Sequence, residues 1–239
     1  MNRRRSWLIA PAHDPEAVKN CLGCDADVLV LDLEYSVPPK HKEAARSGLN
    51  DLVRTLGPIQ RELFVRIDRA TRWADAAAAV VRGVSGIVLP GAEQADEIAE
   101  LDQLVATLEK ERGLELGATQ LVLILESAPG FWNAGSLAQA SPRVTALGVG
   151  RVDLTMQLGP VPQDEFRLYR YLMTRAVVAA RTFGKQPLGA HWRPGSRGGL
   201  ADARHTARAA REARLMGFEG CLCAAADQVA AVNTGFAPG

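Results

Sequence analysis

At 239 residues the chain is long for one ordinary domain, yet it falls within the ~200 to 250 residues of a single α/β barrel. Its 28 Lys+Arg against 27 Asp+Glu leave a formal charge of +1, too little field to attract a polyanion or a charged bilayer, so neither nucleic acid nor membrane is expected as a partner. No apolar run approaches the ~20 residues that span a bilayer, and Trp7-Leu8-Ile9-Ala10, stopped by Pro11, is shorter than the ~7 to 15 residue core of a signal peptide; a soluble cytoplasmic protein is expected.

In chain order, strand-like apolar runs recur at Trp7–Ala10, Val28–Leu33, Leu63–Ile67, Gly86–Leu89, Leu121–Leu125, Ala146–Val149, Pro187–Trp192 and Cys221–Ala225. Between them lie helical patterns, such as Ile98, Leu101, Leu104, Val105 and Leu108, or Ala203, Ala207, Ala210 and Leu215. The strand runs are continuously apolar rather than alternating, which indicates a sheet buried on both faces. Repeated strand-then-helix units of that kind close into a (β/α)8 TIM barrel, predicted here as a single domain over residues 1–239. The stretch Arg193–Gly199 is predicted to be a loop after the seventh strand.

Four cysteines stand as Cys21-Leu22-Gly23-Cys24 and Cys221-Leu222-Cys223, spacings that raise a redox pair or a four-thiolate zinc site. The first pair follows Asp14 in an amphipathic stretch and the second lies within an apolar strand, where thiols serve as small hydrophobes; that is the reading adopted.

A parallel barrel builds its site from residues at the carboxyl ends of its strands. Those ends deliver Pro11 and His13, then Asp32 and Glu34, Arg66 and Asp68, Glu93, Glu126 and Asp153. Acids from several neighbouring strands around one arginine predict an oxygen-ligand cage for Mg2+ or Mn2+ rather than zinc. Arg66 presents a fork suited to a substrate carboxylate; the alternative is an ion pair with Asp68, Glu34 or Glu126. Asp153 could equally cap a helix over Leu154–Leu158. His41 and His205 are placed on solvent-facing helices, His13 and His191 near the site. No G-x-G-x-x-G, Walker or G-x-S-x-G pattern follows any strand, so no dinucleotide, nucleotide or serine-hydrolase site is supported.

Seven motifs then arrive in one order across nearly the whole chain: Arg5-Ser6-Trp7-Leu8-Ile9-Ala10-Pro11, Leu31-Asp32-Leu33-Glu34, Val65-Arg66-Ile67, Gly86-Ile87-Val88-Leu89-Pro90, Ile124-Leu125-Glu126-Ser127-Ala128-Pro129-Gly130, Ala140-Ser141-Pro142-Arg143-Val144 and Val152-Asp153-Leu154. Together they resemble the HpcH/HpaI aldolase and citrate lyase beta-subunit superfamily, in particular its citrate lyase beta-like branch. The resemblance implies a magnesium-dependent carbon–carbon lyase acting on a hydroxyacyl-CoA thioester such as citryl-, malyl- or citramalyl-CoA, or on a small hydroxy- or oxo-acid. It implies Glu126 and Asp153 as metal ligands, Arg66 with Glu126 as substrate-binding residues, and a homo-oligomer, trimer or hexamer. Glu34 is the nearest spare acid for a proton relay. Where the pattern usually carries a second-strand aspartate, a lysine and a glutamate, this chain has Tyr35, Gly91 and Val152. The sequence ends at Gly239, so the C-terminal lid of acyl-CoA-cleaving relatives is not expected within it. The alternative reading is a non-catalytic metal- and carboxylate-binding or regulatory barrel.

Overall fold

The computed structural model describes residues 4–150, 166–189 and 202–237. Its strands are β1 (Ser6–Pro11), β2 (Val28–Asp32), β3 (Glu62–Arg66), β4 (Gly86–Leu89), β5 (Gln120–Leu125), β6 (Val144–Val149), β7 (Gln186–Leu188) and β8 (Cys221–Cys223). All pair in parallel, in the order β7-β6-β5-β4-β3-β2-β1-β8. A bridge between Leu188 and Gly220 brings the two ends together, supported by Gly189 N donating to Gly220 O at 2.8 Å. The result is a (β/α)8 barrel, and each of the eight predicted strand runs overlaps an observed strand.

The barrel explains why those runs are continuously apolar. One face of each strand fills the interior, where Trp7, Val28, Val30, Phe64, Val88, Val122, Ile124, Ala146 and Leu188 form one buried cluster. The opposite faces, including Leu8, Leu29, Leu31, Val65, Ile87, Leu123 and Leu147, form a second cluster under the surrounding helices. Each fully buried large side chain of this kind contributes roughly 1.5 to 3 kcal/mol relative to exposure. At the amino-terminal end the interior is closed by polar groups: Arg4 pairs with Glu62 and donates to Gln120 at 2.9 Å, while Gln186 and the Trp7 indole donate to the Arg4 carbonyl. The opposite end is left to hold a site.

The helices are α1 (Pro15–Cys21), α2 (Lys42–Ser47), α3 (Leu49–Leu56), α4 (Arg72–Ala79), α5 (Ala95–Glu111), α6 (Ala128–Trp132), α7 (Ala134–Gln139), α8 (Phe166–Thr182), α9 (Ala203–Leu215) and α10 (Val229–Gly235). Asp14 caps α1, accepting from Glu16 N and Ala17 N at 3.1 and 3.0 Å. α5 buries the predicted Ile98, Leu101, Val105 and Leu108. In α9 the predicted stripe is displaced: Thr206, Ala209, Ala210 and Ala213 are buried and Leu215 is 86% exposed. An alanine-rich helix carries too little contrast in size and polarity for periodicity to choose the inward face.

Candidate active site

β2 and β3 run in register so that Asp32 and Arg66, the last residue of each strand, are direct cross-strand partners. Arg66 Nε donates to Asp32 Oδ1 and Nη2 to Oδ2, both at 2.7 Å, a two-bond fork. Asp32 is fully buried and also accepts from Glu34 N at 2.9 Å, Ser36 N at 2.7 Å and Ser36 Oγ at 2.5 Å. Burial alone would push its carboxyl up. The hydrogen bonds and charge of Arg66, with the Ser36 donors, outweigh that and hold it below the ordinary value, so Asp32 is an anion fixed under the arginine.

Glu34 Oε2 lies 3.4 Å from Arg66 Nε, and the charge of Glu126 also acts on Arg66. Burial opposes the guanidinium charge, but Asp32, Glu34 and Glu126 together raise its pKa, so it stays charged at every physiological pH. Of the partners expected for Arg66, Glu34 is present as a secondary contact. The principal partner is Asp32, which strand register rather than any local motif brings to Arg66. Asp68 turns away to Lys42 and caps the turn that follows β3 through Ala70 N at 2.8 Å.

Glu126 leaves β5 at the same end of the barrel and is half-buried. Gly150, one residue past β6, donates its N–H to Leu125 O at 2.9 Å and lies directly against the Glu126 side chain. A Cβ at position 150 would overlap that carboxylate, approaching Glu126 Cδ to 2.7 Å. The bare glycine therefore makes the space in which Glu126 sits. Asp153, His191 and the stretch Arg193–Gly199 lie outside the described residues, as does Val152.

The predicted oxygen-ligand cage includes Asp153, which lies outside the described residues. Among the described residues no group of three or more His, Cys, Asp or Glu side chains is arranged to hold a metal. Asp32 is committed to Arg66 and its own loop, Asp68 to Lys42, and Glu93 to Arg69, which it meets at 2.8 and 3.2 Å. Glu126, in its glycine-made cradle, offers carboxylate oxygens of the kind a hard cation takes. One or two carboxylates with water and substrate oxygens are the usual complement for Mg2+, so this donor chemistry fits it.

The cysteines do not converge either. Cys24 Sγ donates to Cys21 O at 3.2 Å, and Cys221 and Cys223 are buried in β8; all four thiols are free. His205 is exposed on α9, bound to Asp202 at 2.8 Å. His41 ends the short 3-10 helix Pro39–His41, but it is half-buried rather than solvent-facing and stacks on His13, with ring centroids 5.3 Å apart.

Residues 5–226 match the HpcH/HpaI aldolase/citrate lyase family. The chain belongs to that family. It is 33% identical over 183 residues to the citrate lyase subunit beta of Leuconostoc mesenteroides subsp. cremoris, covering 74% of this chain and 61% of that protein. It thus spans about three fifths of that relative's length. The L-malyl-CoA/beta-methylmalyl-CoA lyase of Cereibacter sphaeroides strain ATCC 17025 is 26% identical over 257 residues, covering 98% of this chain and 79% of that protein. Among solved structures, the citrate lyase beta subunit from M. tuberculosis complexed with oxaloacetate and magnesium superposes with a TM-score of 0.78 and 26% identity, covering 99% of this chain and 98% of that one. No helix among the described residues is long and apolar enough to cross a membrane.

Proposed function

We propose that this family member is a magnesium-dependent carbon–carbon lyase of the retro-aldol or retro-Claisen type. Its substrate would be a hydroxyacyl thioester, or a small hydroxy-acid, that breaks to release an oxo-acid. The observation that carries this reading is the pairing of a pinned, permanently charged Arg66 with Glu126 in a cradle shaped by Gly150. The relatives supply the class of chemistry: a citrate lyase subunit, a malyl-CoA lyase, and a structure holding magnesium and oxaloacetate.

In this reading Glu126 and Asp153 hold the cation. When bound, Mg2+ supplies Lewis-acid stabilisation of the negative charge that develops on the oxo-acid oxygen. Arg66 spends Nε and Nη2 on Asp32 and turns its remaining N–H groups to the substrate carboxylate. Because Asp32 fixes the fork, the carboxylate is held in one orientation and the breaking bond is aligned before reaction. Glu34, beside Arg66, receives the hydroxyl proton directly or through water. Assembly as a homo-oligomer, trimer or hexamer, belongs to the same proposal, and light scattering on the purified chain tests it.

The deciding experiment is calorimetric titration of Mg2+ into chelator-treated protein with oxaloacetate present, on the parent chain and on Asp153→Ala. Binding in the parent that disappears in the variant supports the site, and turnover of a hydroxyacyl thioester then supports the lyase. Binding without turnover of any such thioester would make the protein a carboxylate-binding barrel instead. No binding in the parent would sink both readings.

A further inference from the structure

Arg66 is not the only guanidinium at this end of the barrel. Arg69 opens the short turn Arg69–Thr71 after β3, and its side chain lies across Gly91 in the loop after β4. A Cβ at Gly91 would come within 2.9 Å of Arg69 Nη1 and 3.2 Å of Cδ, and Gly91 has a φ of +59°, a conformation L side chains rarely adopt. Glycine is therefore required there twice, once by the backbone and once to let the arginine lie over it.

Glu93 grips Arg69 end-on, Nη1 to Oε1 at 3.2 Å and Nη2 to Oε2 at 2.8 Å. Glu93 is itself fixed: Asn133 Nδ2 donates to its carbonyl at 2.8 Å, and its carboxyl is held below the ordinary value by Arg69 first and by the Ser127 side chain as well. Ser127 immediately follows Glu126, so the support runs straight into the residue at the centre of the site. The charge of Glu126 acts on Arg69 as it does on Arg66. The two arginines differ in what they leave available. The Arg66 side chain is 13% exposed and the Arg69 side chain 42%. A guanidinium has five N–H donors, and the Glu93 grip uses two of Arg69's. An ion pair this exposed adds little to stability, so stability does not account for so much supporting structure.

We propose that Arg69 is a second carboxylate-recognition residue that selects dicarboxylic oxo-acids, taking the carboxylate distal to the oxo carbon while Arg66 takes the proximal one. The inference rests on the site reading given above and adds to it the substrate class. Dicarboxylic and monocarboxylic oxo-acids share the proximal carboxylate and the carbonyl, so only the distal group distinguishes them at Arg69. A charge-assisted fork to that group is worth about tenfold or more in affinity.

The test is titration of oxaloacetate and of pyruvate, with Mg2+ present, into the parent chain, Arg69→Gln and Gly91→Ala. The expected result is that Arg69→Gln weakens oxaloacetate about tenfold or more and leaves pyruvate within about twofold. Gly91→Ala, which displaces the arginine without removing it, should move the ratio the same way and carries the test if Arg69→Gln does not fold. Equal weakening of both acids, or an unchanged ratio in both variants, overturns the role of Arg69 while leaving the Arg66 site standing. If the parent takes neither acid, the site reading fails, and the selectivity proposal falls with it.

Discussion

Asp32 and Arg66 close β2 and β3 at the same level, and the buried carboxylate holds the arginine by both ends of its fork at 2.7 Å. Removing one member of such a pair leaves the other charge buried without compensation, which costs about 3 to 5 kcal/mol. Asp32→Asn keeps the shape but offers the guanidinium one acceptor and one misdirected amide. For a chain of this length the loss corresponds to a fall of about 6 to 20 °C in Tm, read by scanning calorimetry. Oxaloacetate affinity should fall with it. A variant with unchanged Tm and unchanged binding would show that Asp32 neither stabilises nor orients Arg66.

The Gly150–Glu126 contact separates metal binding from folding. Gly150→Ala places a methyl group where the Glu126 side chain lies, and Glu126, half-buried at the carboxyl end of β5, must shift to admit it. The expected outcome is a loss of Mg2+-dependent oxo-acid binding comparable to Glu126→Gln, with Tm changed by only a few degrees, about 1 kcal/mol. Retention of parent-like Mg2+ affinity in Gly150→Ala would mean that the position of Glu126 seen here is not the one that matters.

These two contacts also mark where sequence reading stops. The strands were legible because a barrel buries both faces of each one, so Leu121–Leu125 or Val28–Leu33 reads as an unbroken apolar run. The strand-end rule then placed Glu34, Arg66 and Glu126 at one end of the barrel, where the structure has them. What could not be read was pairing. Asp32 and Arg66 are 34 residues apart, and only the register between their strands makes them partners. Arg69 stands three residues beyond its strand end and lies over Gly91, a contact with no local signature. The stripe on α9 failed for a different reason, since alanine gives no contrast between an inward and an outward face.

The thiols give a prediction that discriminates packing from chemistry. Burial pushes the Cys21 thiol up, with Cys24 adding to the effect, and the hydrogen bond with Cys223 together with burial raises Cys221 well above its ordinary value. Thiols held in the protonated form are poor nucleophiles and poor zinc ligands. Elemental analysis should find no stoichiometric zinc. Native alkylation near neutral pH should leave Cys221 and Cys223 unmodified until the protein unfolds. Rapid labelling of either buried thiol in the folded protein would contradict the packing of β8.

Arg143, just before β6, forks onto Glu109 of α5 at 2.8 and 2.7 Å and also pairs with Asp102. Glu109 is fully buried and accepts from Gly117 N and Thr119 N at 2.9 and 2.8 Å. Burial would raise its carboxyl, but Arg143 and the two backbone donors bring it from 4.5 down to about 2. A pKa lowered by folding contributes stability that is present in full above the unfolded value and is lost as pH falls toward the folded one. The window here runs from 4.5 down to about 2, and the difference corresponds to about 3 kcal/mol. Urea unfolding across that range should show the parent losing stability steeply with acid. Glu109→Gln should start lower at neutral pH and follow a flatter course, because its amide has no proton to take up. Parallel curves for the two proteins would mean that the clamp between α5 and β6 plays no part in the acid sensitivity of the fold.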